Sequence, residues 1–117
     1  MIRPTTFLLA LALVACGDSV TGNDDPWEVM GTGNDVIDRP SHVERVRITG
    51  SYSGTYQNFV VECGQFEDDH WDLLVNVILG TDAESTQYEG THLLEPGCDP
   101  FVIHYSEGVA WTITKVQ

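Results

Sequence analysis

The densest cluster of groups able to do chemistry is Glu67-Asp68-Asp69-His70-Trp71-Asp72, four carboxylates and an imidazole within six residues. Oxygen-rich clusters of this kind hold hard cations such as Ca²⁺, with Glu67, Asp68, Asp69 and Asp72 as the candidate ligands. The run lacks the ligand spacing and the turn glycine of an EF-hand loop, and a solvated acidic loop between two strands explains it equally well. The four histidines, His42, His70, His92 and His104, are scattered. No H-E-x-x-H pair marks a zinc site, no G-x-S-x-G marks a nucleophile elbow, and no glycine-rich loop awaits a phosphate. The expectation is therefore a non-enzymatic chain with no cofactor.

Net charge narrows the partners. Eighteen acidic residues stand against five basic ones, a formal charge of −13. Nucleic acid is excluded, because phosphates require Lys and Arg. Docking on anionic headgroups through the protein surface is disfavoured for the same reason, and mutual repulsion keeps such a chain in solution.

The elements that must carry these groups alternate with period two. Val46, Ile48, Tyr52 and Tyr56 share one parity and Arg45, Arg47, Thr49 and Ser51 the other, a long strand with one buried and one wet face. Phe59–Cys63 reads as a second strand. Trp71, Leu73, Val75, Val77 and Leu79 form a third, and Leu74 and Ile78 give its other face apolar character, as in a central strand. Thr86–Leu94 is a weaker fourth. Phe101–Tyr105 and Val109–Ile113 flank Ser106-Glu107-Gly108 as a hairpin, with Gly108 free to take a positive φ. No segment carries a helical repeat. The predicted fold is all-β: an antiparallel meander of about six strands over residues 42–117, closed as a barrel or folded as a sandwich. Trp71, Trp111, Tyr52, Tyr56, Tyr88 and Tyr105 belong to its core, or alternatively line a pocket for an apolar ligand. Ile48-Thr49-Gly50-Ser51-Tyr52-Ser53-Gly54-Thr55-Tyr56 loosely resembles the first strand of lipocalin-like barrels, which implies a fold and no function.

Residues 1–15 form a targeting segment: Arg3 in a short leader, then the apolar run Phe7-Leu8-Leu9-Ala10-Leu11-Ala12-Leu13-Val14, far short of the ~20 residues of a spanning helix. Leu13-Val14-Ala15-Cys16 resembles the lipobox of bacterial lipoprotein precursors. The resemblance implies that the Cys16 thiol receives a diacylglycerol, that the signal is cut just before it, and that the mature chain meets its membrane through this lipid. Two or three acyl chains anchor firmly. Gly17, rather than Asp, follows the cysteine, which in two-membrane bacteria favours the outer membrane. Residues 16–41, rich in Gly, Asp and Asn, are expected to be a disordered acidic linker, with Trp27, Val29 and Met30 docking on the domain or lying loose.

Setting Cys16 aside leaves Cys63 and Cys98, an even pair in an oxidising compartment and the expected disulfide. Closing that loop stabilises by roughly 3–4 kcal/mol, a large share for a domain of about 75 residues. The resulting expectation is a lipid-anchored extracytoplasmic envelope protein with a structural or protein-interaction role. The alternative is a β module that binds a small ligand or a divalent cation.

Overall fold

In a computed structural model the chain is described over residues 25–65 and 70–117. The strands are β1 (Glu28–Thr32), β2 (Asp35–Ile37), β3 (Arg45–Ser51), β4 (Gln57–Gln65), β5 (His70–Leu79), β6 (Gln87–Leu93), β7 (Phe101–His104) and β8 (Ala110–Lys115), and the described residues contain no helix. They build two antiparallel sheets of four, in the orders β1-β8-β3-β6 and β2-β7-β4-β5. The all-β antiparallel class read from the sequence is the observed one.

The connectivity is not a meander. Only β4 and β5 are neighbours both along the chain and within a sheet. Every other connection between consecutive strands crosses from one sheet to the other or passes over an intervening strand. This strand order is that of the eight-stranded jelly roll, two interleaved Greek keys forming a sandwich rather than a closed lipocalin-like barrel. The segment read as a hairpin at Ser106-Glu107-Gly108 is likewise an arch between sheets, because β7 and β8 belong to different ones. Gly108 does take the positive φ (84°) read for it, and Tyr105 joins it at 57°.

Alternation along each strand defines the interior. Val46 and Ile48 on β3, Phe59, Val61 and Cys63 on β4, Phe101 and Ile103 on β7, and Trp111 and Ile113 on β8 are all buried between the sheets. Gly50 continues the buried parity of β3 because the Phe59 ring lies where its side chain would be. On β5 the pattern changes register. Val61 opposes Val75 but Glu62 opposes Leu73, so Leu74 is an extra residue in a bulge. The bulge turns Leu73 out to solvent while Leu74 packs against the core, so Leu73 does not share a face with Val75 and Leu79 as the alternation implied. Nor is β5 central; it is an edge strand.

The expected linker of residues 16–41 is corrected over its second half. β1 pairs with β8 from Glu28↔Thr114 to Thr32↔Ala110, and β2 pairs with β7. Trp27 stacks on Phe101 at 6.1 Å between centroids and Val29 packs on the core, whereas Met30 stays exposed. Edge strands with a wet outer face need few apolar residues, which is why this stretch reads as linker. Gly33 (φ 83°) carries the chain from one sheet to the other, and its carbonyl accepts the Trp111 Nε1–H bond at 2.8 Å.

Cys63 of β4 and Cys98, in the loop before β7, form the expected disulfide, both buried and with Cα atoms 4.7 Å apart. That loop is also gripped by Arg39. Its Nε donates to Val43 O (2.7 Å) and its Nη1 to Glu95 O (2.8 Å) and Cys98 O (3.1 Å), while its backbone N–H donates to Asp99 Oδ1 (2.9 Å).

Candidate functional site

Of the residues singled out by their chemistry, Cys16, Glu67, Asp68 and Asp69 lie outside the described residues. Asp72 is half-buried on β5 opposite Cys63. Among the described residues no three His, Cys, Asp or Glu side chains converge as a metal site would require. Half of the aromatic set is structural: Trp111 is buried, and Tyr52 and Tyr88 pack on the core, while Trp71 is partly buried on β5 opposite Gly64. Tyr56 and Tyr105 are the exposed members.

The histidines are separated by the sandwich. His92 sits on the inner parity of β6, its Nε2 3.0 Å from Tyr88 Oη. Burial lowers the His92 pKa below its ordinary value and raises that of Tyr88. His104 lies on the outer parity of β7, where its Nε2 donates to Glu62 Oε1 on β4. His104 is therefore on the wet side of its strand, as the alternation implied, but it is paired. Ser106, two residues on, is fully buried: its Oγ donates to His104 O and accepts from Val60 N–H. Its hydroxyl is thus committed to the arch between β7 and β8, which Asn34 secures by accepting from Ser106 N–H and donating to Glu107.

The buried side chains of the two sheets meet between them, and the outer faces of the sheets, which differ in kind, are open to another molecule. On the first sheet the cross-strand rows read Thr32–Ala110–Ser51–Gln87, Met30–Thr112–Thr49–Glu89 and Glu28–Thr114–Arg47–Thr91. Short hydroxyl side chains line its middle, with Thr49 and Thr112 hydrogen-bonded to each other. They leave an open concavity of about 750 Å³ against the upper two rows.

On the second sheet one row runs Val36–Val102–Glu62–Leu73 across all four strands, and the next sets His104 beside Val60 and Asn76. Ile78 follows on β5 opposite Asn58. Val36, Leu73 and Ile78 are 58, 54 and 55% exposed, high values for branched aliphatic side chains on a sheet. The single carboxylate in their midst, Glu62, is occupied by His104. At one end of the face Tyr56, Ile78 and Ala83 help line an open groove of about 710 Å³.

The apolar character of Ile78 is visible in the sequence, but the face is not. It assembles only when β2, β7, β4 and β5 are placed side by side.

No protein-family model, no curated protein and no solved structure matches this chain. No helix among the described residues is long and apolar enough to cross a membrane.

Proposed function

We propose that this chain is a lipid-anchored extracytoplasmic protein of the bacterial cell envelope, held to its membrane through Cys16 and acting there by contact with another protein. The observation that carries the reading is Leu13-Val14-Ala15-Cys16 placed directly behind the apolar run from Phe7 to Val14. The Cys63–Cys98 disulfide supports it, since such bonds persist in oxidising compartments. The folded strands begin at Glu28, so the chain between Cys16 and the domain can reach at most about 40 Å. The lipid therefore keeps the sandwich near the bilayer, and Gly17 after the cysteine favours the outer membrane.

The test is Cys16→Ser in the native host. Wild-type chain should incorporate labelled fatty acid and sediment with membranes, whereas the variant should stay unlabelled and uncleaved. Labelling or normal detergent-phase partitioning of the variant would overturn the anchor.

A further inference from the structure

We infer that the outer face of the β2-β7-β4-β5 sheet is a docking surface for a protein partner that presents apolar residues flanked by Lys or Arg. This inference deepens the contact role proposed above and rests on it. Two independent features of the face converge on that occupant. The first is apolar exposure. Val36, Val102, Val60, Leu73 and Ile78 share one side of a single sheet, and only the last two are on the same strand. An outer face of a solvated sandwich ordinarily alternates to polar side chains, as the middle of the first sheet does with Thr49, Thr112 and Arg47, where the exposed Met30 and Leu93 stand apart on the two edge strands. Apolar side chains contributed by all four strands to one outer face, with Glu62 and Asn76 among them, mark a surface that water does not permanently cover.

The second feature is the sign of the rim. The four strands of this sheet contain no Lys or Arg at all, and Glu62 is the carboxylate on their outward parity, since Asp35 and Asp72 oppose the buried Ile103 and Cys63. Asp82 and Glu84 border the groove beside Tyr56 and Ile78, and Glu107 lies in the β7–β8 arch. The cations of the described chain are elsewhere: Arg45, Arg47 and Lys115 on strands of the first sheet, and Arg39 committed to the Val43, Glu95 and Cys98 carbonyls. Glu62 sits in the centre hydrogen-bonded to His104, so drying the middle of the face does not leave this carboxylate without a partner.

An apolar centre with an acidic border selects its occupant by charge. A second copy docking face to face would bring together two faces each bordered by Asp82 and Glu84, in chains whose full sequence carries −13. Anionic lipid headgroups would meet the same repulsion. A cationic partner with apolar side chains satisfies both halves of the surface, the charges guiding encounter and the aliphatic contact supplying affinity.

The experiment uses the full lipidated chain in phosphatidylcholine nanodiscs, with two dye-labelled twelve-residue probes: alternating Val-Lys, and the same peptide with every Val replaced by Ser. Fluorescence anisotropy should show the Val-Lys peptide binding at least tenfold more tightly. Hydrogen exchange should show protection over 35–37, 57–65 and 101–104, and V36S/L73S should lower the affinity about tenfold while R47S leaves it unchanged. Val36 and Leu73 are exposed, so V36S/L73S should melt with the parent. Equal binding of the two peptides, or protection confined to the first sheet, would overturn the inference. Peptide-free protection of this face by the nanodisc would assign it to lipid. The same protection in a peptide-free dimer would assign it to a second copy. Failure of the anchor is a separate result: the chain then stays out of the nanodisc, and the probes are titrated against it in solution with the same criteria.

Discussion

Removing the covalent link between Cys63 and Cys98 should be the most damaging single change available to this domain. The two cysteines are 35 residues apart, and the loop they close contains the last residues of β4 and all of β5 and β6. In the chain-entropy description, releasing a loop of this length gives the unfolded state roughly 3–4 kcal/mol of additional freedom. For a domain of this size each kcal/mol corresponds to about 4–8 °C, so the midpoint should fall by between about 12 and 30 °C. The native side adds to the loss, because both sulfurs are buried and Cys98 belongs to the loop whose carbonyls hold Arg39. The assay is thermal unfolding followed by circular dichroism, on oxidised chain, on chain reduced with a phosphine, and on Cys63→Ala/Cys98→Ala. Mass spectrometry under non-reducing conditions verifies the bond in the first sample. Reduced chain and double variant should agree within a few degrees. A drop of less than about 5 °C in both would refute the reasoning, since it would mean that the strands between the cysteines are held as well without the link.

Three further outcomes follow from particular contacts. Arg39→Met removes three side-chain hydrogen bonds, one to Val43 O within the 38–44 segment and two that tie this segment to the loop before β7; urea unfolding should show a loss of about 2–3 kcal/mol, with Arg39→Lys recovering little because an ammonium cannot match the guanidinium fork. Gly50→Ala drives a methyl into the Phe59 ring and should cost about 1–3 kcal/mol in the same measurement, whereas Gly97→Ala, with nothing within 4 Å, should be neutral. Burial holds the His92 pKa below its ordinary 6.5, so the unfolded chain takes up this proton first, and stability must fall as pH drops through 6.5 toward the lower folded value. Comparing parent and His92→Gln between pH 8 and 5 should show the extra acid slope only in the parent, and parallel profiles would sink that assignment.

Much of the architecture is legible because alternation is a local property. Val46 and Ile48, Phe59 and Val61, Phe101 and Ile103, and Trp111 and Ile113 each declare the inner side of their own strand without reference to any other segment. The disulfide was legible for a different reason: once Cys16 is assigned to lipid, only one pairing is left. What local reading missed has specific causes. β1 and β2 escaped because Asp35-Val36-Ile37 and Glu28-Val29-Met30-Gly31-Thr32 are too short and too polar to stand out from a linker; they are strands because β8 and β7 offer them edges. The inverted positions of Leu73 and Leu74 follow from a bulge, which is a mismatch between two strands and has no signature in either one.

The sequence by itself determined the class of fold, the inner face of most strands, the disulfide partners and the acidic surface, since each depends on residue type and short-range period. Tertiary structure alone decided which sheet each strand joins. Glu28 finds Thr114 and Ile37 finds Phe101 through hydrogen-bond register between segments far apart in the chain, and the same pairings set which outward side chains become neighbours. Val36, Val102, Glu62 and Leu73 are unremarkable one by one. They become a surface because four strands that are not consecutive in the chain lie in one sheet, and a period-two pattern can say which way a side chain faces but not what will stand beside it.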